Sequence, residues 1–208
     1  MLAAVALVLA QAGTARAADD VEALLARLAR PAPDAIGFAE VRFSPLVEQP
    51  LLVSGRLEYA GPGRLSRIVS SPYEERTDIV GDEVRVSREG ERDRRFSLRR
   101  APELRGLLTS FGAILAGDAD ALEENFSLSL ADSELPGRAW VLSLQPKAER
   151  LRDRLGSIRV HGSADRVACI AMGLRPEESS VILLGEKAED LPQPLTPEAL
   201  EARCSAID

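Results

Sequence analysis

One histidine, two cysteines and eight aromatic residues (five Phe, two Tyr, one Trp) occur in a chain of 208 residues. With His161 as the sole imidazole, neither an HExxH zinc site nor a Ser-His-Asp triad finds its partners. GxSxG, GxxxxGK[ST] and a GxGxxG following a strand are missing too, so the motif-defined hydrolases, P-loop enzymes and dinucleotide binders have no signature here. Carboxylates are numerous but unclustered along the chain, and a glycosidase-type pair is a weak alternative resting on no motif. The reading is therefore not an enzyme, with no cofactor and no metal. His161 itself falls on the polar side of its strand and reads as a surface residue. Basic residues are outnumbered as well, and the net charge of −7 argues against nucleic acid as a partner.

What is present is a globular composition, 45% hydrophobic and 28% charged. Residues 1–17 read as a secretory signal. Leu2 to Ala10 forms an apolar run, and Ala15-Arg16-Ala17 matches the small-x-small cleavage pattern, giving a mature start at Ala18. The usual basic n-region is missing, so the true translation start is left open. The run falls short of the ~20 residues that span a bilayer. No cysteine follows the cleavage site, so the mature protein is expected to carry no lipid anchor of its own. Residues 18–208 read as a single exported domain.

Asp19-Asp20 opens a helix whose apolar residues Val21, Leu24, Leu25 and Leu28 recur at i, i+3, i+4, i+7; Pro31 and Pro33 end it. Ile36 to Pro45 reads as extended, with Ile36, Phe38 and either Val41 or Phe43 on the apolar side. From Val53 the pattern has period 2: Val53, Gly55, Leu57 and Tyr59 face one way, Ser54, Arg56 and Glu58 the other. Ala60-Gly61-Pro62-Gly63 turns the chain, Arg64 to Ser70 returns it, and further runs reach Val80 and, after Gly81-Asp82, Val86. This is an antiparallel meander. Arg85 to Arg100 holds seven arginines facing Glu89, Glu91 and Asp93, with a turn at Gly90. It reads as a solvated hairpin laced by ion pairs, or alternatively as a docking surface for an anionic partner.

The period then changes. Leu104, Leu107, Leu108, Phe111 and Leu115 form a helical stripe that begins at Pro102 and stops at Gly117, with Asp118 or Asp120 capping a short helix over 121–124. By itself such a stripe is core. Strands resume at Phe126–Leu130 and at Ala139–Leu142, a run apolar on both faces and so expected to be central. Ile158–Val160, Arg166–Gly173 and Ser180–Leu184 follow. Cys169 and Cys204 are an even pair in an exported chain, which points to a disulfide tying a C-terminal helix (about 197–204) to a late strand. A buried Cys169 with an unpaired Cys204 is the other arrangement.

The series Gly55, Leu57, Tyr59, Pro62, Leu65, Arg67, Pro72, Ile79 and Gly81-Asp82 resembles the N-terminal half of LolA-type lipoprotein carriers. Gln145-Pro146-Lys147 resembles the turn that follows their central strand. That resemblance implies an α+β fold: a half-open antiparallel β-barrel, a strongly curved sheet, with helices covering a concave apolar cavity. It implies a monomeric periplasmic carrier that binds the acyl chains of a lipoprotein or another acyl lipid. Transient membrane contact, an inner-membrane releasing transporter and an outer-membrane acceptor go with that role. On this reading Leu104, Leu107, Leu108, Phe111 and Leu115 form a lid, while Phe38, Phe43, Leu57, Tyr59, Phe126 and Trp140 are candidate walls. The family carries a basic residue before its first proline, where this chain has Gly61; Arg64 or Arg67 is then the candidate for gating or docking. A lipid- or envelope-stress-sensing domain of similar fold is the alternative.

Overall fold

The computed structural model describes residues 20–132, 139–175 and 177–206. The expected signal peptide and its cleavage site lie outside them. The i, i+3, i+4, i+7 spacing of Val21, Leu24, Leu25 and Leu28 is realised as a helix, α1, over residues 20–28, with all four side chains buried. The chain leaves the helix before Pro31, as the missing proline N–H requires.

Eleven described strands follow: β1 (Asp34–Phe43), β2 (Leu51–Tyr59), β3 (Arg64–Ser71), β4 (Glu75–Val80), β5 (Glu83–Arg88) and β6 (Arg94–Ser97), then β7 (Phe126–Asp132), β8 (Ala139–Pro146), β9 (Ser157–Ser163), β10 (Arg166–Arg175) and β11 (Glu178–Leu184). They form one curved, unclosed antiparallel sheet in the order β6-β5-β4-β3-β2-β1-β11-β10-β9-β8-β7. Two meanders are thus joined through β1 and β11, which pair from Phe38 opposite Leu184 to Phe43 opposite Ser179. Between β6 and β7 the chain makes a 3-10 turn (Leu98–Arg100), helix α2 (Pro102–Ala116) and short helix α3 (Ala119–Glu123). Helix α4 (Glu149–Arg152) bridges β8 and β9, and α5 (Pro197–Ser205) ends the described chain.

The pleat sorts the side chains onto two faces. On the inner face, α1 and α2 cover β7 to β10, burying Trp140, Leu142, Leu144, Ile158 and Val160 beneath Leu24, Leu25 and Ile114. Phe38, Val53, Val69 and Leu184 continue this face toward the first meander. On the outer face, α5 lays Leu200 and Cys204 over Val41, Cys169, Val181 and Leu183. The disulfide Cys169–Cys204 staples α5 there, its Cα atoms 5.5 Å apart and its partners 35 residues apart. Closing a loop of that length constrains the unfolded chain by about 4 kcal/mol in the chain-entropy model.

Local signals place α2. Pro102 sits in its first turn, and Gly117 ends it at φ 72°, where its N–H reaches the carbonyls of Ala113 and Ile114. A Cβ on Gly117 would come within 2.9 Å of the Leu25 carbonyl oxygen, so glycine serves both the left-handed cap and the close approach to α1. Asp118 then caps α3, accepting from the Ala121 N–H at 3.0 Å.

Two expectations need correction. The strand holding Trp140 is not central: β8 lies next to the edge strand β7. It alternates, with Trp140, Leu142 and Leu144 buried inward and Val141 and Ser143 half-buried on the other face. Strand β1 is the central one, and it buries residues on both faces, with Phe38 and Glu40 on one and Ala39 and Val41 on the other. Finally, His161 is not a surface residue; it is 7% exposed on the outer face, beside Cys169 of β10. The polar pattern of its strand misleads because α5 covers that face.

Candidate functional site

The cleft lies where α2 crosses the turn end of the first meander. Tyr59, Leu65 and Ile79 rise from β2, β3 and β4, and Leu108, Ala113 and Leu115 come down from α2. Between them is a half-open cavity of about 300 Å³ with a mainly apolar lining. Gly61 and Pro62 make the turn beside it. Gly61 has φ 112°, which accounts for the glycine at this position: a β-carbon there would be strained.

Among the described side chains of α2, Ser110, Ala113 and Ile114 are buried, whereas Leu108, Phe111 and Leu115 are only half-buried. Leu108 and Leu115 line the cavity. Phe111 packs against the inner core. Leu104 and Leu107 belong to α2, but their side chains lie outside the described part of the structure. The helix therefore presents leucines along its margin to a space it does not fill.

Of the candidate walls, Tyr59 lines this cavity. Phe126 and Trp140 are buried deeper, under α1 and α2. The Trp140 ring lies on Gly162, where a Cβ would approach to 2.2 Å, and its Nε1 donates to the Ala164 carbonyl at 3.2 Å. Phe38 and Leu57 sit together further along the inner face. Phe43 is on the outer face, packed against the cluster that holds Val41 and Leu200, because it is an odd number of residues from Phe38 along β1.

Arg64 lines the cavity at its turn. Arg67 stands deeper along the inner face, its guanidinium 4.8 Å above the Phe38 ring and 2.6 Å from Glu40. Glu40, 5% exposed, also receives Arg42 at 2.7 Å and the Ser180 hydroxyl at 3.0 Å. Burial pushes its carboxyl upward, but the bonds and charges of Arg42 and Arg67 outweigh this and hold it below the ordinary carboxylate range. Arg88 extends the array by bonding Glu75 at 2.8 Å above the Tyr73 ring. Period 2 along β1 puts Glu40 on the face of Phe38, yet its partners come from β1, β3 and β11, and only the sheet assembles them.

Sequence reasoning misses a second polar junction. Asp82 joins the cavity rim to the helices, accepting from Arg99 Nε at 3.0 Å and pairing with Arg105 of α2 at 2.6 Å. Those bonds, Arg99's foremost, hold its carboxyl below the usual range. The Gly81-Asp82 turn and the arginine-rich segment are both legible in sequence, but not that they meet. The remaining arginines behave as a solvated hairpin: Arg85 bonds Asp93 at 2.5 Å, and Arg94 and Arg95 decorate the edge strand β6, where charge discourages edge pairing.

Fold and cleft together define a class: an unclosed, helix-covered antiparallel sheet with an apolar cavity under a helix. The model of the family described as outer membrane lipoprotein carrier protein LolA-like matches residues 12–207. The chain belongs to that family. A search of curated proteins finds no match. Among solved structures it is similar to a LolA superfamily protein of Nitrosomonas europaea, at 13% identity over 85% of this chain and 95% of that one, with a TM-score of 0.42. It is also similar to a putative outer membrane lipoprotein-sorting protein domain from Vibrio parahaemolyticus (12% identity, 91% and 98% covered, TM-score 0.46). A chain of the Pseudomonas aeruginosa MucA/MucB complex aligns over 90% of this chain and 63% of its own, at 12% identity and a TM-score of 0.40. No described helix is long and apolar enough to cross a membrane.

Proposed function

We propose that this protein is a carrier of the bacterial envelope that holds the acyl chain of a lipoprotein, or of a related lipid, in the cavity beneath α2. The family membership and the half-filled apolar cleft support the reading. Magnitudes make it workable. Burying a C16 chain in full stabilises by about 12 kcal/mol, which would leave a cargo almost unable to depart. The cavity, at about 300 Å³, is twice the size of the ~150 Å³ apolar cavity that admits benzene, so it accommodates part of such a chain. The rest requires α2 to give way, and the apolar surface it uncovers in moving offsets part of the gain. Leu108 and Leu115 on this reading exchange protein neighbours for lipid. The Asp82–Arg105 pair is the polar catch between α2 and the meander.

Export to the periplasm, cleavage after Ala17 and hand-over between an inner-membrane releasing transporter and an outer-membrane acceptor are parts of the same proposal. Native mass spectrometry of protein purified from the envelope fraction tests it. An added mass matching an acyl lipid or acylated peptide is the expected result. Protein that is empty, and that takes up no fluorescent fatty acid afterwards, would overturn the reading.

A further inference from the structure

A second cavity, about 450 Å³, opens on the other side of the α2 C-terminus. Its lining is mixed: Ile36, Ile114, Val167, Leu184 and Leu115 are its larger apolar members. Leu115 lines the first cavity as well. The rim is unlike that of the first. Arg30, from the segment after α1, and Arg166, at the start of β10, both line it, on either side of Asp165. Arg30 donates one bond, to the Asp165 carbonyl at 3.3 Å. Among the described residues, neither guanidinium is paired with a carboxylate.

Arg64, at the first cavity, likewise pairs with no carboxylate among the described residues, whereas three arginines deeper on the inner face do. Arg42, Arg67 and Arg88 each have an acidic partner within 3 Å. The lining of the second cavity also includes Lys187, Asp34 and Glu186. Lys187 is buried and bonds the Ala206 carbonyl at 2.8 Å, and Asp34 accepts from the Ala35 N–H at 2.9 Å. Arg30 and Arg166 bring to this lining planar guanidinium forks that suit a carboxylate or phosphate, beside the exposed carboxylates of Asp34 and Glu186.

We infer that the second cavity is a headgroup site, in which Arg30 and Arg166 bind the carboxylate or phosphate of an anionic amphiphile whose acyl chain runs along the apolar residues of the lining, past Leu115, into the first cavity. This rests on the carrier reading and narrows it: the preferred cargo is an anionic lipid rather than any acylated molecule. The bilayer-derived headgroup and a free phosphate share this chemistry, and the test keeps them apart.

Displacement of a fluorescent fatty acid is measured with a C16 carboxylic acid, a C16 alkyl phosphate, the C16 alcohol and a C16 trimethylammonium, with inorganic phosphate alone as a further arm. The acid and the alkyl phosphate are expected to displace the probe at about tenfold lower concentration than the alcohol, the worth of one good charge-assisted contact. The ammonium should be the weakest. In Arg30→Gln/Arg166→Gln the advantage of the anions should vanish while the alcohol binds as before, and Arg30→Lys/Arg166→Lys should restore part of it. Both side chains are at least partly exposed, so folding is confirmed by thermal melting of each variant. Equal displacement by acid and alcohol, or an anion preference that survives the Gln variant, overturns the headgroup site and leaves the carrier reading standing. Displacement by inorganic phosphate at the concentration of the alkyl phosphate would make it a phosphate site and overturn the inference. No binding by any amphiphile would remove both readings.

Discussion

Leu108→Ala separates a lid from a wall. Leu108 is half-buried on α2 and lines the first cavity. A fully buried leucine costs 2–5 kcal/mol when cut to alanine; at half burial beside an existing cavity the loss is about 1–2 kcal/mol. For a domain of this size that lowers Tm by about 3–6 °C. A fixed wall responds in one direction, because truncating the side chain takes apolar surface away from the ligand as well as from the protein. A lid responds in two. Each methylene no longer seated against the meander makes the helix about 0.8 kcal/mol easier to displace, and roughly half of the total recovered gives about fivefold tighter acyl binding. The assay pairs a thermal melt with titration of a fluorescent fatty acid on the same samples. Lower Tm with tighter binding is the expected outcome. Lower Tm with equal or weaker binding would refute the reasoning and make α2 a structural helix with the ligand elsewhere.

Glu40→Gln leaves Arg42 and Arg67 facing a neutral amide in a largely buried setting, and should cost about 2–3 kcal/mol at pH 7, discounted for their partial exposure. Because the folded carboxyl titrates below its unfolded value, Glu40 contributes stability above about pH 4.3 that is lost as pH falls through the folded pKa. Denaturant titrations at pH 7 and in acid should show the variant's deficit shrinking in acid; an equal deficit at both would rule this account out. His161 works at higher pH. Burial first, and the Arg159 charge second, push its pKa down, with Glu201 opposing. The folded state resists protonation, so stability should decline as pH drops below about 6.5. His161→Leu should remove that slope, and an unchanged slope would show that another group carries it.

Much of this molecule is set by short-range pattern. The alternation from Val53 to Tyr59, the turns at Gly61-Pro62 and Gly81-Asp82 and the helix from Pro102 to Gly117 follow from periods of 2 or 3.6 and from turn chemistry within a few residues. Two cysteines allow one internal disulfide, and the docking of α5 on β10 is what brings Cys169 and Cys204 together. The tertiary structure decided what lies on top of what. A strand's period places Phe38 and Phe43 on opposite faces, so the resemblance that makes both of them cavity walls fails for one of them, and only the covering layers show that it is Phe43. His161 reads as wet until α5, from further along the chain, lies over it. Glu40 gains its partners from β1, β3 and β11 because β1 and β11 pair across nearly the whole chain. Asp82 meets Arg105, and Arg30 reaches the Asp165 carbonyl, for the same reason: a charge shows its type in sequence, while its partner is set by strand order and helix docking.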